Sequence, residues 1–257
     1  MAELDSNISA TALKALKALD FIGEQRRPIS AQDMADGIGS DRATAYRMLM
    51  TLVHSGYVVR DANSKNYRLS YKVLSLGRYL ISDDDRSVHI LDCLRAISEE
   101  TGETVHFSAL DNDCAVLVFR AKGVQRVSVD FQIGDRSPLP CTSIGKVLLA
   151  YSDARFSEKI IARGLTKVAP KTITDPEALR HELARVRAQG YAIDDMEFSD
   201  DMRCLAIPVF EQGGVVQAGV AISGPSSRFD LDRLERLRLA ATPYVTDLSR
   251  KLGGFPS

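Results

Sequence analysis

Basic side chains are concentrated between Arg42 and Arg68, in a chain of 257 residues whose formal net charge is only −1. This stretch holds five Lys and Arg residues and a single acid, Asp61, so its local charge is about +4, whereas residues 1–41 hold four basic and seven acidic residues. The five basic residues are Arg42, Arg47, Arg60, Lys65 and Arg68. Lys and Arg neutralise phosphates, and Arg also pairs with guanine through two hydrogen bonds. The cluster therefore favours contact with DNA, with a solvated, charged helix face as the alternative.

Three helices are predicted around this cluster. Apolar residues at helical spacing predict the first from Ala10 to Phe21. Ser30 is a suitable N-cap for a second helix, Ala31 to Asp36, and Asp41 is a suitable N-cap for a third, Arg42 to Ser55. The third helix carries the first two arginines of the basic cluster.

A tight turn and a hairpin complete this part of the chain. Gly37 and Gly39 are expected to end the second helix, and the small Ala35 four residues before Gly39 suits a turn where two helices approach closely. Two β-prone runs, Tyr57–Arg60 and Asn66–Leu69, flank a polar turn and predict a hairpin. Helix, tight turn, helix and hairpin is the arrangement of a winged helix-turn-helix.

In such a module the third helix lies in the major groove, with its N-terminal residues nearest the bases. The residues predicted to contact DNA from the start of this helix are Ser40, Arg42, Thr44, Tyr46 and Arg47. The hairpin is expected to place Arg60 and Lys65 along phosphates, with Arg68 as a further candidate.

Beyond the hairpin the pattern changes to mixed α and β. A helix is predicted from Tyr71 to Leu80, and the acidic run Asp83–Asp85 is interpreted as a hinge. Further helices are predicted at residues 90–101, 144–151, 156–163, 176–189 and 230–252. Strands are predicted at residues 104–110, 115–121, 127–131, 191–193, 204–210 and 215–222. A second and larger α/β domain is therefore expected after the hinge.

The sequence shows no pattern typical of a metal site, a disulfide framework or a membrane span. The cysteines and histidines lack ligand spacing; they are Cys93, Cys114, Cys141 and Cys204, and His54, His89, His106 and His181. Lys146 does not belong to a phosphate-binding loop, because that motif fails at Pro140 and Val147. Short apolar runs and a first segment without a secretory pattern lead us to expect a cytoplasmic protein. The spacing of cysteines and histidines leaves a metal site possible but unsupported, and no cofactor is expected.

Taken in order, short motifs along nearly the whole chain resemble those of the IclR family of bacterial transcription regulators. In the N-terminal part they are residues 40–49 (SDRATAYRML), 52, 56–58 (GYV), 67–69 (YRL) and 76–77 (LG). In the C-terminal part they are residues 101–105 (TGETV), 138–139 (PL), 142–150 (TSIGKVLLA), 190–195 (GYAIDD), 203–210 (RCLAIPVF) and 222–228 (ISGPSSR). Each motif is moderately specific, and their common order makes the resemblance strong.

The resemblance implies that residues 85–257 form a GAF-like effector-binding domain with a pocket for small carboxylates. Carried over from the family, the residues of this pocket are Ser143, Ile144, Asp194, Cys204 and Ser223. His106, on the first strand of the domain, resembles members that respond to sugar-derived keto acids. Ala221 stands where many members have serine and Asp201 where many have glycine, so the identity of the effector does not transfer.

The residues themselves leave alternatives open at three of these positions. A carboxylate needs N–H and O–H donors, and the N-terminus of helix 144–151 offers free amides. Ser143 either caps this helix or donates to the ligand. Cys204 is equally suited to a small core position, and Asp194 to a cap or an ion pair.

The sequence therefore predicts an α+β protein of two domains. These are a winged helix-turn-helix at residues 1–70 and an effector-binding α/β domain at residues 85–257, with a linker helix and hinge at 71–84. The predicted function is a DNA-binding repressor of a catabolic operon, a homodimer or homotetramer whose operator binding responds to a small organic acid. The alternative is an activator of an aromatic- or sugar-acid operon. An enzyme using Cys204, His106 and Asp194, or a helix-turn-helix used only for protein contacts, fits the pattern less well.

Overall fold

The computed structural model describes residues 8–78, 85–126 and 128–254. The chain divides into two compact units, Met1–Ser82 and Asp83–Ser257. Within the described part, no helix combines the length and the apolar character needed to cross a membrane. The described residues also contain no group of three or more His, Cys, Asp or Glu side chains placed to hold a metal ion.

The N-terminal unit begins with three helices: α1 (Ala10–Glu24), α2 (Ala31–Ile38) and α3 (Arg42–His54). The predicted caps of α2 and α3 are present. Ser30 accepts from the backbone N–H of Asp33, whose carboxylate accepts from the Ser30 N–H in return, and Asp41 accepts from the N–H of Thr44. The buried side chains of these helices, with Ile29, Val58 and Tyr67, form the core of the unit.

The prediction that Gly37 ends α2 is wrong. Gly37 lies inside the helix, because α1 and α2 approach so closely there that a side chain at this position would overlap the ring of Phe21. The helix ends instead at Gly39, whose φ of 62° is left-handed and whose N–H donates to the carbonyl of Ala35.

The predicted hairpin consists of β1 (Val58–Arg60) and β2 (Tyr67–Leu69), paired antiparallel. It is followed by α4 (Lys72–Gly77), a helix of six residues with no buried side chain. The helix predicted from Tyr71 to Leu80 is thus shorter over the described residues, and Leu80 lies outside them, as do Asp83 and Asp84 of the predicted hinge.

The C-terminal unit is built on a six-stranded antiparallel sheet in the order β5-β4-β3-β8-β7-β6. The strands are β3 (Val105–Asp111), β4 (Cys114–Ala121), β5 (Arg136–Pro138), β6 (Ala192–Asp195), β7 (Met202–Glu211) and β8 (Val215–Pro225). A short 3-10 turn at Gln212–Gly214 joins β7 to β8.

Helices cover both faces of this sheet. One face packs against α5 (Asp85–Thr101) and α9 (Leu231–Lys251), and the other against α6 (Ser143–Tyr151), α7 (Ala154–Ala162) and α8 (Pro176–Gln189). Alternation along the strands separates the two faces: Val105 and Phe107 of β3 join the core beneath α5 and α9. His106 and Ser108, which alternate with them, therefore point to the face that carries α6.

Two predictions for this unit are wrong. Helix α5 begins at Asp85 rather than Ile90, since Ser87 and Ile90 both belong to its buried side. Residues 128–131 form no strand, and Val127 lies outside the described residues. The alternating pattern there belongs to an irregular segment in which Arg120 donates to the carbonyl of Phe131 at 2.6 Å. The outer edge of β4 pairs instead with β5, which begins five residues after Phe131.

Candidate functional site

The start of α3 presents an exposed, positively charged surface. Arg42, Tyr46 and Arg47 are exposed on one side of the helix, and Ala45 and Leu49 are buried on the other. Thr44 and Ser40 are only half-exposed, and the hydroxyl of each donates a hydrogen bond to the neighbouring Asp41. The Thr44 hydroxyl donates to Asp41 at 2.6 Å, and the Ser40 hydroxyl donates to the carbonyl of Asp41 at 3.3 Å. Of the five residues predicted here, the three long side chains are therefore the ones that extend outward.

An open groove joins the start of α3 to the hairpin. Its lining includes Arg42 and Tyr46 from α3 and Arg60 and Lys65 from the hairpin. Arg60 stacks on the ring of Tyr67, with 5.6 Å between the guanidinium carbon and the ring centroid. Across the described part of the chain, no carboxylate forms an ion pair with Arg42, Arg60 or Lys65, so their charges are available to an external anion. Such a groove fits a phosphate backbone.

A cavity that is partly open to solvent lies between the α6 face of the sheet and the start of α6. All six residues predicted to bind an effector line it: His106, Ser143, Ile144, Asp194, Cys204 and Ser223. Strand register explains why they meet, because Asp194 lies opposite Cys204 and Cys204 opposite Ser223 on three neighbouring strands. The structure thus brings together residues that are up to 117 positions apart in sequence.

The N-terminus of α6 forms one wall of the cavity. Thr142 is its N-cap and accepts from the N–H of Gly145 at 3.1 Å. Ser143 is therefore the first residue of the helix rather than its cap, and its buried side chain lines the cavity. Gly145 permits this placement, since a side chain there would overlap the backbone of Leu139. The free amides at this end of the helix favour an anion.

Asp194 is completely buried and uses only one of its two carboxylate oxygens within the protein. Its Oδ1 accepts from the backbone N–H groups of Glu197 at 2.7 Å and Phe198 at 3.3 Å, while its Oδ2 has no partner. Burial, with the nearby Glu197 carboxylate, raises the pKa of Asp194 to about 7. Of the alternatives for Asp194, no ion pair forms with any described residue, whereas its Oδ1 accepts from the turn that follows β6.

His106 faces the same cavity without a hydrogen-bond partner on either ring nitrogen. Burial, together with the positive charge of Arg120, lowers the pKa of its imidazole to about 4, so the ring is neutral at pH 7. Its neighbour across the strand pair is Ala221, the position where many family members carry serine. The ring of Phe131 packs edge to face against the imidazole of His106, with 5.6 Å between the ring centroids.

The environment of Cys204 does not suit a nucleophile. Complete burial raises the pKa of its thiol, with the Asp194 charge adding to this shift. Catalysis by a thiolate and an imidazolium would require the opposite shifts at Cys204 and His106. All four cysteines are buried and unbridged.

Sequence reasoning missed several residues of the cavity and the network beneath it. The further lining residues are Ser108, Leu117, Phe131, Asp135, Ser137, Thr142, Phe198, Met202 and Ala221. Alternate residues of a strand point to the same face, so the strand that directs His106 into the cavity also directs Ser108 there, and Ser108 could have been predicted from the sequence. Phe131 sits in the segment mistaken for a strand. Lys146, completely buried, donates to Glu182 at 2.9 Å and to Glu197 at 2.5 Å, a long-range pairing that no local pattern indicates.

Comparison with known proteins assigns both units. Residues 11–62 match the IclR helix-turn-helix domain, and residues 87–250 match the family described as bacterial transcriptional regulator IclR, C-terminal. The predicted two-domain α+β fold class is therefore confirmed. These are domains of transcription regulators and not of enzymes.

Curated relatives and a solved structure extend the match over nearly the whole chain. The HTH-type transcriptional regulator KdgR of Escherichia coli is 37% identical over 248 residues, which cover 95% of this chain and 93% of KdgR. The transcriptional repressor IclR of the same organism is 25% identical over 94% of this chain and 89% of its own length. An IclR homolog from Microbacterium hydrocarbonoxydans, crystallised with 4-hydroxybenzoate, shares the fold with a TM-score of 0.77 at 23% identity, over 94% of this chain and all of the homolog. The chain belongs to the IclR family of bacterial transcription regulators.

Proposed function

We propose that this protein represses a catabolic operon and that a small carboxylic acid, bound in the cavity beside α6, changes its affinity for the operator. The observation that carries the proposal is the convergence of His106, Ser143, Asp194, Cys204 and Ser223 on one cavity, with unpartnered polar atoms on His106 and Asp194. Buried polar atoms without partners are rare in proteins, and a polar ligand would satisfy them.

DNA is held by the groove between α3 and the hairpin. Arg42, Tyr46 and Arg47 read base edges, and Arg60 and Lys65 bind phosphates. The exposed positions of these residues and the absence of competing carboxylates support this division of roles. Ser40 and Thr44 contribute less to base reading, because their hydroxyls already bind Asp41.

A carboxylate ligand is supported by the chemistry of the cavity. The free amides of Ser143 and Ile144 at the start of α6 suit an anion, and the neutral imidazole of His106 supplies one donor and one acceptor. The 4-hydroxybenzoate bound in the related crystal structure is itself a small carboxylic acid. Repression is supported by the relative that is named as a repressor.

The working unit is a homodimer or homotetramer in the cytoplasm. Apolar side chains of the N-terminal unit are strongly exposed at Leu16 in α1, at Tyr71 and at Leu74 and Leu76 in α4, with Tyr71 84% exposed. Pairing of such surfaces would bury them. Residues 1–70 act as the DNA-binding domain, 71–84 as linker and hinge, and 85–257 as the effector domain.

A thermal-shift screen with linked DNA binding tests the proposal. The panel contains pyruvate, glyoxylate, sugar-derived keto acids and 4-hydroxybenzoate. An acid that binds only the native protein raises Tm by mass action, and the same acid should change operator affinity by roughly 5- to 150-fold.

Ser143→Ala should reduce the shift in Tm without lowering stability, because it removes one hydroxyl donor and leaves the helix amides in place, and no other group in the described chain bonds that hydroxyl. Ser157→Ala, on α7 and away from the cavity, is the matched control. A panel in which no acid shifts Tm, or in which the shifts are as large in Ser143→Ala as in the native protein, contradicts the proposed site.

A further inference from the structure

We propose that this cavity selects singly charged carboxylic acids, and that each acid binds together with one proton, which its carboxylate shares with Oδ2 of Asp194. The inference rests on the proposed function, since it specifies the charge state and the class of the acid that the same cavity holds. It makes Asp194 the residue that determines specificity.

The first support is the charge of the cavity lining. Its fifteen residues include two carboxylates, Asp194 and Asp135, and one imidazole, but no lysine and no arginine. Asp135 is exposed and accepts from the N–H of Gln132 at 2.7 Å, so it lies at the rim, whereas Asp194 is completely buried. An acid that enters as its anion therefore meets a buried carboxylate and no cation.

The second support is that the buried cation on α6 is already paired. Lys146 lies one turn beyond Ser143, but its Nζ is held by Glu182 of α8 and Glu197 of the turn after β6. Glu182 is also paired with Arg185, so the network balances its own charges, and Lys146 does not line the cavity. Arg120, on β4 opposite His106, does not line the cavity either: it donates to the Phe131 carbonyl and pairs with Asp130, and its buried Nε has no partner in the described part of the chain.

The third support is the geometry of Asp194. Met196 adopts a left-handed φ of 63°, which turns the chain so that the N–H groups of Glu197 and Phe198 both point at Oδ1. Oδ1 is thereby satisfied as an acceptor, and Oδ2 is left as the only atom of Asp194 able to carry a proton into the cavity. A protonated Oδ2 donates to a ligand carboxylate, in the way that two carboxyl groups share a site with one proton.

The remaining titratable groups around Asp194 favour this site for the proton. They are Glu197 after β6, Lys146 on α6, Cys141 before α6, Cys204 on β7, His106 on β3 and Asp135 before β5. Burial with the neighbouring Asp194 raises the pKa of Cys141 to about 11, and the Cys204 thiol is shifted upward as well, so both stay protonated throughout. Burial lowers the pKa of His106, which disfavours it as the proton acceptor.

The class of ligand follows from the charge balance. One anion and Asp194 together carry two negative charges, and one proton taken from water leaves a single charge, which the N-terminus of α6 stabilises. A second carboxylate or a phosphate would add one or two charges with no lysine or arginine among the lining residues to meet them. We therefore expect monocarboxylates to bind and matched dicarboxylates and phosphate esters to be rejected.

Calorimetric titration of the full-length protein measures the proton directly. Each acid of the screening panel that shifts Tm is titrated in two buffers of different ionisation enthalpy, between pH 5 and 9. Because the pKa of Asp194 is about 7, uptake of about half a proton is expected at pH 7 and nearly one at pH 8.5. Affinity should be nearly constant below pH 6 and fall about tenfold per pH unit above pH 8.

Matched variants locate the proton. Asp194→Asn should remove proton uptake and flatten the pH profile, because the amide stays neutral at all pH values. Asp195→Asn is the control: it lies next along β6 and pairs with Lys171 and Arg203 outside the cavity, so uptake should persist. His106→Gln and Asp135→Asn should also leave the uptake in place.

Charge selectivity is tested with matched pairs: 4-hydroxybenzoate against terephthalate, and 2-oxopentanoate against 2-oxoglutarate. Binding of a dianion as tightly as its monoanionic partner, absence of proton uptake, or uptake that survives in Asp194→Asn overturns the inference while the proposed function stands. If no acid of the panel or of the pairs binds, the proposed function fails, and the inference fails with it.

Discussion

Lys146 is the residue whose role differs most from what its sequence context suggests. It lies in a glycine-lysine context that superficially fits phosphate binding, yet its ammonium group is buried between two carboxylates. Removing the cation leaves Glu197 buried without its ion-pair partner, while Glu182 keeps its pairing with Arg185. Buried pairs lose about 3–5 kcal/mol when one partner is removed.

Lys146→Met is therefore expected to lower the free energy of unfolding of the C-terminal unit by about 3–5 kcal/mol, as measured by urea denaturation. The double variant Lys146→Met with Glu197→Gln should recover part of the loss, because it removes the buried carboxylate that Lys146→Met leaves without a cation. Lys251→Met, at an exposed pair with Asp247, should leave stability nearly unchanged. Equal stability of Lys146→Met and the native protein would show that the buried ion pairs do not form.

Arg42 is the most direct test of base reading. Arg42→Ala should weaken operator binding about 5- to 150-fold, since a bidentate contact contributes about 1–3 kcal/mol of discrimination, and should weaken binding to random DNA much less. Arg68→Ala removes the same charge from the hairpin, outside the residues that line the groove, and should affect both DNAs equally and weakly. Fluorescence anisotropy with both DNAs gives the ratio of specific to non-specific affinity for each variant. An equal loss of affinity for the two DNAs in Arg42→Ala contradicts base reading.

At the scale of elements, short-range signals predicted what depends on local chemistry. The N-caps at Ser30 and Asp41 and the antiparallel hairpin were visible in the sequence because each needs only a few adjacent residues. Gly37 and residues 128–131 were misinterpreted because their conformations depend on distant partners, the ring of Phe21 in one case and Arg120 in the other. The six predicted cavity residues were identified from the resemblance to a known family. The position of Phe131 in the cavity and the ion pairs of Lys146 became visible only in the folded structure, because both depend on contacts between distant parts of the chain.

The turn between α2 and α3 has a conformational requirement that can be measured. Gly39 is left-handed with open space around it, so Gly39→Ala introduces backbone strain of about 1–2 kcal/mol and no clash. Hydrogen exchange of α2 and α3 in the full chain should accelerate about 5- to 30-fold. Gly77→Ala, in the helical backbone of α4 with equally open space, should instead slow exchange there, because alanine favours helix. Unchanged exchange in Gly39→Ala would contradict the strained turn.

At the scale of the whole molecule, two units with different chemistry share one chain. The N-terminal unit carries a local positive cluster in a protein of net charge −1, and the C-terminal unit encloses a cavity with buried, unpartnered polar atoms. A ligand that stabilises one arrangement of the C-terminal unit alters DNA binding only through a coupling free energy between the two sites, typically 1–3 kcal/mol. We expect this coupling to act on a specific operator.

Sequencing the genomic fragments retained by the intact protein, with and without the acid panel, measures both the operator preference and its response to the ligand. We expect a small set of strongly enriched fragments that share an inverted repeat, with enrichment changed by at least one acid. Retention without preference for any fragment, in the presence and the absence of the acids, would rule out a specific operator.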